Sequence, residues 1–503
     1  MVLKTAEEKV GEITRWVIID GQQRLTTILL LMAVIRDRAK EDGGESLVKQ
    51  IDQHFLFNED AIKNDDKPKL RLTRADRDAF EHIIGGDGSA SNSSQVVPAF
   101  AYFADLLEKH KAKYDLSKLF DTIRQLKLVT MRLDEKDNPN RIFETLNYRG
   151  KELAQSDLVR NLFMMSIRDQ ARVEQVYKDI WFPMEQGFGN KTREQSDNLE
   201  LFLRHYMTMV KRTTVKEESV YGEIREGIKS ADEPQVLKEL RAISRYAGFY
   251  QGLLFPDRAS VPELSEKMRR LNDFGISVHY PFVMKAYNAY ESKTLSLEEF
   301  ITILDTIESY VIRRYFQKRP TNALNKLFAS LCSLPDKSLA DSLVKELKSK
   351  DSFTSQYWPV DEEFKDGFKT FPIYQDSAWR SSFILTTIEE RFKHPEPIQL
   401  DRLTVEHIMP ETLTNKWKKY LGSGWETTFE RRVHTIGNLT LIAGKPNSSL
   451  QQDLFKIKKA KWYKKSNVEL TKELVRYSEW KEKDMAKRAE DLANRAVDIW
   501  TRP

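Results

Sequence analysis

The sequence predicts an α+β chain that is predominantly helical, with an N-terminal α/β region, a helical middle and a C-terminal strand, strand and helix unit. Three observations predict it. Short β-branched runs stand beside helix-period segments near the N-terminus, at Trp16-Val17-Ile18-Ile19 and at Leu128-Val129-Thr130-Met131-Arg132-Leu133. From Glu194 to about Lys350 apolar residues recur at helical spacing, punctuated by Pro256, Pro262 and Pro320. Near the far end, two short apolar runs flank turn residues and lead into a lysine-rich helix.

Met1-Val2-Leu3-Lys4 reads as a strand ahead of the run at Trp16. Leu25, Ile28, Leu29, Met32 and Ile35 repeat at helical spacing, so Asp20-Gly21-Gln22-Gln23-Arg24 is a tight strand-to-helix turn. A glycine there lets the backbone approach a ligand, a helix N-terminus offers N–H groups to an anion, and Arg24 adds a guanidinium. Equally, Gln22, Gln23 and Arg24 hydrogen-bond the turn itself. The turn lacks the Gly-Lys-Ser/Thr signature of a P-loop. Gly85 to Ser94 is a Gly/Ser-rich loop. Lys118 to Leu133 reads as a helix and then a strand, expected to join the sheet beside Val17 to Ile19. Asn147, Arg149 and Gly150 mark a helix end, and Ser156 is a candidate N-cap for a helix whose first turn carries Asp157, Arg160 and Asn161. Arg313 and Arg314, next to Tyr315, either line a DNA or inter-domain groove or lie on a solvated helix. The aromatic, Gly- and Pro-bearing stretch Asp351 to Tyr374 serves as a boundary. The domains expected are 1–193, 194–350 and 351–503.

The C-terminal region carries the chemistry. Glu406-His407-Ile408-Met409-Pro410 is followed by Gly437-Asn438-Leu439-Thr440-Leu441 and then by Asn447, nine positions beyond Asn438. Water attacks a phosphodiester only if it loses its proton as it attacks, which calls for a neutral imidazole, and His407 is the candidate base. Charge building on phosphate calls for a hard cation with oxygen ligands, Mg²⁺ or Mn²⁺, for which Glu406 and Asn447 are the candidates. Pro410 fits a strand that stops, and Leu439 to Ile442 reads as a second strand before the turn Ala443-Gly444-Lys445-Pro446. Asn438 would tie down the loop carrying His407. Ser449 with Gln452 reads as a capping box, and Leu450, Leu454, Ile457 and Trp462 as the apolar face of the closing helix. Its Lys456, Lys458, Lys459 and Lys461, continued by Lys464 and Lys465, are either a solvated face or a DNA-backbone contact. His434 reads as a loop or core histidine.

These motifs, in this order, resemble the GmrSD-type, modification-dependent restriction endonucleases. Residues 403 to 465 are similar to their C-terminal HNH domain, a ββα-metal nuclease. Asp20 to Thr27, and Ile142-Phe143-Glu144-Thr145-Leu146-Asn147-Tyr148-Arg149-Gly150 continuing to Asp157-Leu158-Val159-Arg160-Asn161, are similar to the two motifs of their N-terminal domain. The resemblance implies a ParB/sulfiredoxin-like fold there, holding a nucleoside triphosphate by Asp20, Gly21, Gln22, Gln23, Arg24, Asn147, Arg149, Asp157, Arg160 and Asn161. It also implies double-stranded, modified foreign DNA as substrate, with nucleotide turnover regulating cleavage. Proteins of this type begin with some tens of residues ahead of the motif strand. Here only Met1 to Arg15 precede it, so the sequence reads as truncated or its start as misplaced, and weak nucleotide binding is expected.

Composition bounds the rest. A chain of 503 residues suggests two to four domains, and a net charge of +5 permits nucleic-acid binding without arguing for it. The single Cys332 excludes an internal disulfide and a cysteine-rich zinc ribbon. No uninterrupted apolar run spans a bilayer and no signal peptide opens the chain, so a cytoplasmic location is expected. The alternative to a nuclease is a degenerate or truncated regulatory member that binds nucleotide or DNA without cutting; a helical interaction scaffold is the third class. The number of subunits, including a homo-oligomer, is left open.

Overall fold

Residues Val2–Glu7 (β1) and Arg15–Asp20 (β2) form an antiparallel pair, with Leu3 opposite Ile18 and Lys4 opposite Val17. This computed structural model describes the chain except residues 8–12, 62–65, 73, 87–93, 112, 134–153, 191, 395–397 and 445–451. The third strand, Met131–Leu133 (β3), runs parallel to β1, giving the order β2-β1-β3. It joins the expected sheet on the other side of β1, not beside Val17 to Ile19. The N-terminal ammonium donates to the Val129 carbonyl at 2.8 Å and the Met131 N–H to the Met1 carbonyl at 2.9 Å, which pins it there. Leu128 and Val129, 50% and 85% exposed, stay outside the strand.

Helix α1 (Gln22–Glu41) buries Leu29, Leu30, Met32, Ala33 and Ile35 against Phe80, Ile83, Ile84, Phe120 and Ile123 of the helices Arg74–Gly85 and Leu116–Arg124. These residues form a core of their own. Contacts divide the chain into two units, Met1–Leu153 with Ile167–Val173, and Ala154–Ser166 with Glu174–Pro503.

The second unit is helical apart from one strand pair among its described residues. Its helix α2 (Gln155–Met165) starts one residue earlier than expected. Ala154 is its N-cap, and the Ala154 carbonyl takes the N–H groups of Asp157 and Leu158, so Ser156 is buried in the first turn instead of capping it. Pro262 opens the helix Pro262–Asp273, as the fixed φ of proline favours. Helix α3 (Leu297–Phe316) begins at a Ser296/Glu299 capping box and is buried along most of its length. Arg313 and Arg314 are 0% and 2% exposed, so they line neither a groove nor a solvated face. Arg313 donates to the Trp500 and Pro359 carbonyls at 2.6 and 3.2 Å and pairs with Asp361; Arg314 donates to the Tyr357 and Pro320 carbonyls. Both guanidiniums therefore tie residues 357–361 to this helix, and Arg313 adds the C-terminal end of the chain. Among the described residues no helix is long and apolar enough to cross a membrane.

Candidate active site around His407

Leu403–His407 (β4) pairs antiparallel with Leu439–Ala443 (β5), from Leu403 opposite Ala443 to His407 opposite Leu439. His407 thus stands at the last rung, where the chain leaves the sheet towards Pro410. Asn438 controls that exit. It is fully buried, and its Oδ1 accepts the Met409 N–H at 2.8 Å and the Trp480 indole N–H at 3.0 Å. Its Nδ2 donates to the carbonyls of Met409 and Val433, each at 2.9 Å, and its own carbonyl accepts the Ile408 N–H. Every hydrogen-bonding position of the amide is used, so Asn438 positions the loop and has no free group for substrate.

Gly437 is required by packing. A Cβ there would collide with the Met485 carbonyl of helix α7 (Glu482–Ile499), which also presses Ala489 against it. From the same helix the buried Arg488 donates to the carbonyls of Ile436, Gly437 and Leu439, fixing the start of β5.

Glu406 and His407 are each 7% exposed. The Glu406 carboxylate lies 2.6 Å from the Lys458 ammonium, which also donates to the His407 carbonyl at 2.7 Å. Burial raises the carboxyl and lowers the ammonium, and their mutual attraction opposes both shifts. Lys458 is 2% exposed, so the expectation that it meets a DNA backbone is corrected: a side chain sealed against Glu406 cannot reach phosphate. It belongs to helix α6 (Phe455–Lys461), which starts after Leu454, not at Ser449. Phe455 and Lys458 face inward, while Ile457 is 39% exposed in place of lining the apolar face. Lys456 and Lys461 are exposed, and Lys459 donates to the Tyr477 carbonyl. Asn447 and Ser449 lie outside the described residues.

Burial, with His434 and Lys458 nearby, holds His407 down at about 3, so its imidazole is neutral near pH 7. Its Nδ1 lies 3.7 Å from Glu411, and its ring meets the Tyr374 ring edge to face at 4.4 Å between centroids. His434 stands on the other side, 4.0 Å from the same carboxylate and nearly parallel to Tyr374. Reading the sequence passes over Glu411 and Tyr374. Glu411 carries a usable signal, four residues beyond His407; Tyr374, from a distant segment, carries none.

In the N-terminal unit, Asp20 closes β2 and Gly21 takes φ +99°, the left-handed region, with Met1 3.1 Å from where a Cβ would stand. The Gln22 amide donates to the Ile18 carbonyl at 2.7 Å, and Gln23 and Arg24 are exposed on the first turn of α1. Asp157 and Arg160 pair at 2.7 Å on α2, with Glu185 3.9 Å from Arg160 and Asn161 half-buried. Asn147 and Arg149 lie outside the described residues.

Two family models match this chain. The N-terminal domain of the GmrSD restriction endonuclease matches residues 1–164, and the C-terminal domain of the GmrSD restriction endonucleases matches residues 358–495. Together they span more than half of the chain. No curated protein matches it. With both halves of one family found in order on one chain, the protein belongs to the GmrSD restriction endonucleases and is a restriction-type nuclease of DNA.

Proposed function

We propose that residues 403–465 form an HNH-type phosphodiesterase in which hydrolysis turns on His407. The observation that carries this reading is a neutral imidazole at a strand end, held by a saturated asparagine amide and facing a half-exposed carboxylate. A neutral imidazole keeps a lone pair for a water proton or for a cation, and both uses serve attack on phosphate. Modified double-stranded DNA as substrate and regulation by a nucleoside triphosphate at the Asp20 to Arg24 turn, in a ParB/sulfiredoxin-like domain, complete the proposal.

The hard cation expected at Glu406 and Asn447 does not fit the described residues. Glu406 already holds an ammonium at 2.6 Å, and a second cation there would have to expel Lys458 from a buried pair. No step is routed through Mg²⁺ at that position.

Plasmid cleavage with and without Mg²⁺ or Mn²⁺ tests the reading. Wild-type protein is expected to cut in the presence of a divalent ion, and His407→Ala to cut about 10²–10⁴-fold more slowly. Cleavage by His407→Ala at the wild-type rate removes His407 from the chemistry. Binding of DNA without cleavage under any ion favours a regulatory member of the family.

A further inference from the structure

We infer that His407, Glu411 and His434 form a binding site for one divalent transition-metal ion, with His407 a ligand and not the general base. One donor atom from each of the three lies within 4.8 Å of the others. The two pairs that share Glu411 stand at 3.7 and 4.0 Å, too long for hydrogen bonds, so direct contact within the cluster leaves its polar atoms unsatisfied. The His407 Nε2 and the His434 Nδ1 are sealed from solvent and have no hydrogen-bond partner among the described residues. Buried polar atoms are nearly always partnered, and two orphaned imidazole nitrogens in one cluster point to a missing group.

The fold prepares these residues. His407 is fixed by the end of β4, and the His434 backbone is fixed by the Tyr374 N–H, which donates to its carbonyl at 3.2 Å. The Tyr374 ring then sets both imidazoles, one edge to face and one nearly parallel at 7°. An ion with bonds of about 2.0–2.2 Å holds its ligands roughly 3.3–3.6 Å apart, so small side-chain rotations would close the set.

Donor chemistry selects the ion. Two neutral nitrogens and one carboxylate suit Zn²⁺, Mn²⁺, Co²⁺ or Fe²⁺, whereas Mg²⁺ and Ca²⁺ prefer oxygen throughout. Lys458 keeps any cation off Glu406, on the far side of the strand end. The Glu411 side chain is 50% exposed, so the fourth position opens towards solvent, as in catalytic sites with three protein ligands. The site shares His407 with the proposed nuclease, yet its existence does not depend on that activity.

Titration of the full chain with Co²⁺, followed by visible absorption and calorimetry, tests it. We expect one Co²⁺ per chain with d–d bands of a four- or five-coordinate ion. Glu411→Ala and His434→Gln should each weaken binding by at least about 100-fold. Glu411 is exposed, so its replacement leaves the fold intact, and far-UV circular dichroism checks both variants. Absence of Co²⁺ binding by the wild type, or binding unchanged in both variants, overturns the site. Metal binding without DNA cleavage would leave the site standing and remove the nuclease reading; cleavage without a bound transition metal would do the reverse.

Discussion

Asn438 concentrates more of the site in one side chain than any other residue described. Replacing it with alanine leaves two buried donors and two buried acceptors without partners, each costing about 1–3 kcal/mol. Asn438→Ala is expected to lower stability by roughly 3 kcal/mol or more, read as a shift in denaturant midpoint, and to slow cleavage by loosening the loop after His407. A loss below about 1 kcal/mol would show that the loop is anchored elsewhere. A role in tying that loop was legible from sequence, because an asparagine just ahead of a strand can bond a neighbouring backbone. The cluster around Glu411 was not. His434 and Tyr374 reach His407 only through the fold, and one sequence without relatives offers no sign of such a meeting.

The helix Phe455–Lys461 shows the same limit one scale up. A lysine at 458 reads as polar face, yet it turns inward because Glu406 offers a buried partner, and Ile457 is displaced outward. Periodicity alone cannot register a compensated charge. The lysines left for DNA are therefore Lys456, Lys461, Lys464 and Lys465, all exposed. Replacing Lys456, Lys464 and Lys465 together by alanine should lower affinity for all DNA sequences alike and flatten the salt slope by about 0.9 per lost phosphate contact. Lys458→Ala should instead cost about 3–5 kcal/mol of stability by stranding Glu406, with the salt slope kept. Denaturation and salt titrations on both variants separate the two classes; an unchanged slope in the triple variant returns those lysines to a solvated face.

For the molecule as a whole, class and element order were largely legible, because apolar spacing reports helices and strands directly. Partner choice was not: β3 pairs with β1, anchored by the Met1 backbone, which no periodicity predicts. Burial on the large scale also has a pH consequence. His205 and His279 lie in the helical core, and burial lowers each to about 3. Unfolded, each binds a proton near 6.5; folded, each stays neutral until about 3. Stability should therefore be greatest above about pH 6.5 and fall as pH drops towards 3, each histidine adding a slope of up to about 1.4 kcal/mol per pH unit. Urea midpoints at pH 7 and pH 5 check this, and His279→Gln should reduce the difference; an equal drop in that variant would assign the acid sensitivity to other groups.

The sealed ammonium of Lys458 also makes a natural clock. An amine-selective acylating reagent reaches Lys456, Lys464 and Lys465 at once, but Lys458 only when β4 and the helix behind it separate. Peptide mass spectrometry of a labelling time course should thus show three fast sites and one slow one. The slow rate counts how often the strand end bearing His407 opens, and labelling as fast as that of its neighbours would mean that the pair with Glu406 is open most of the time.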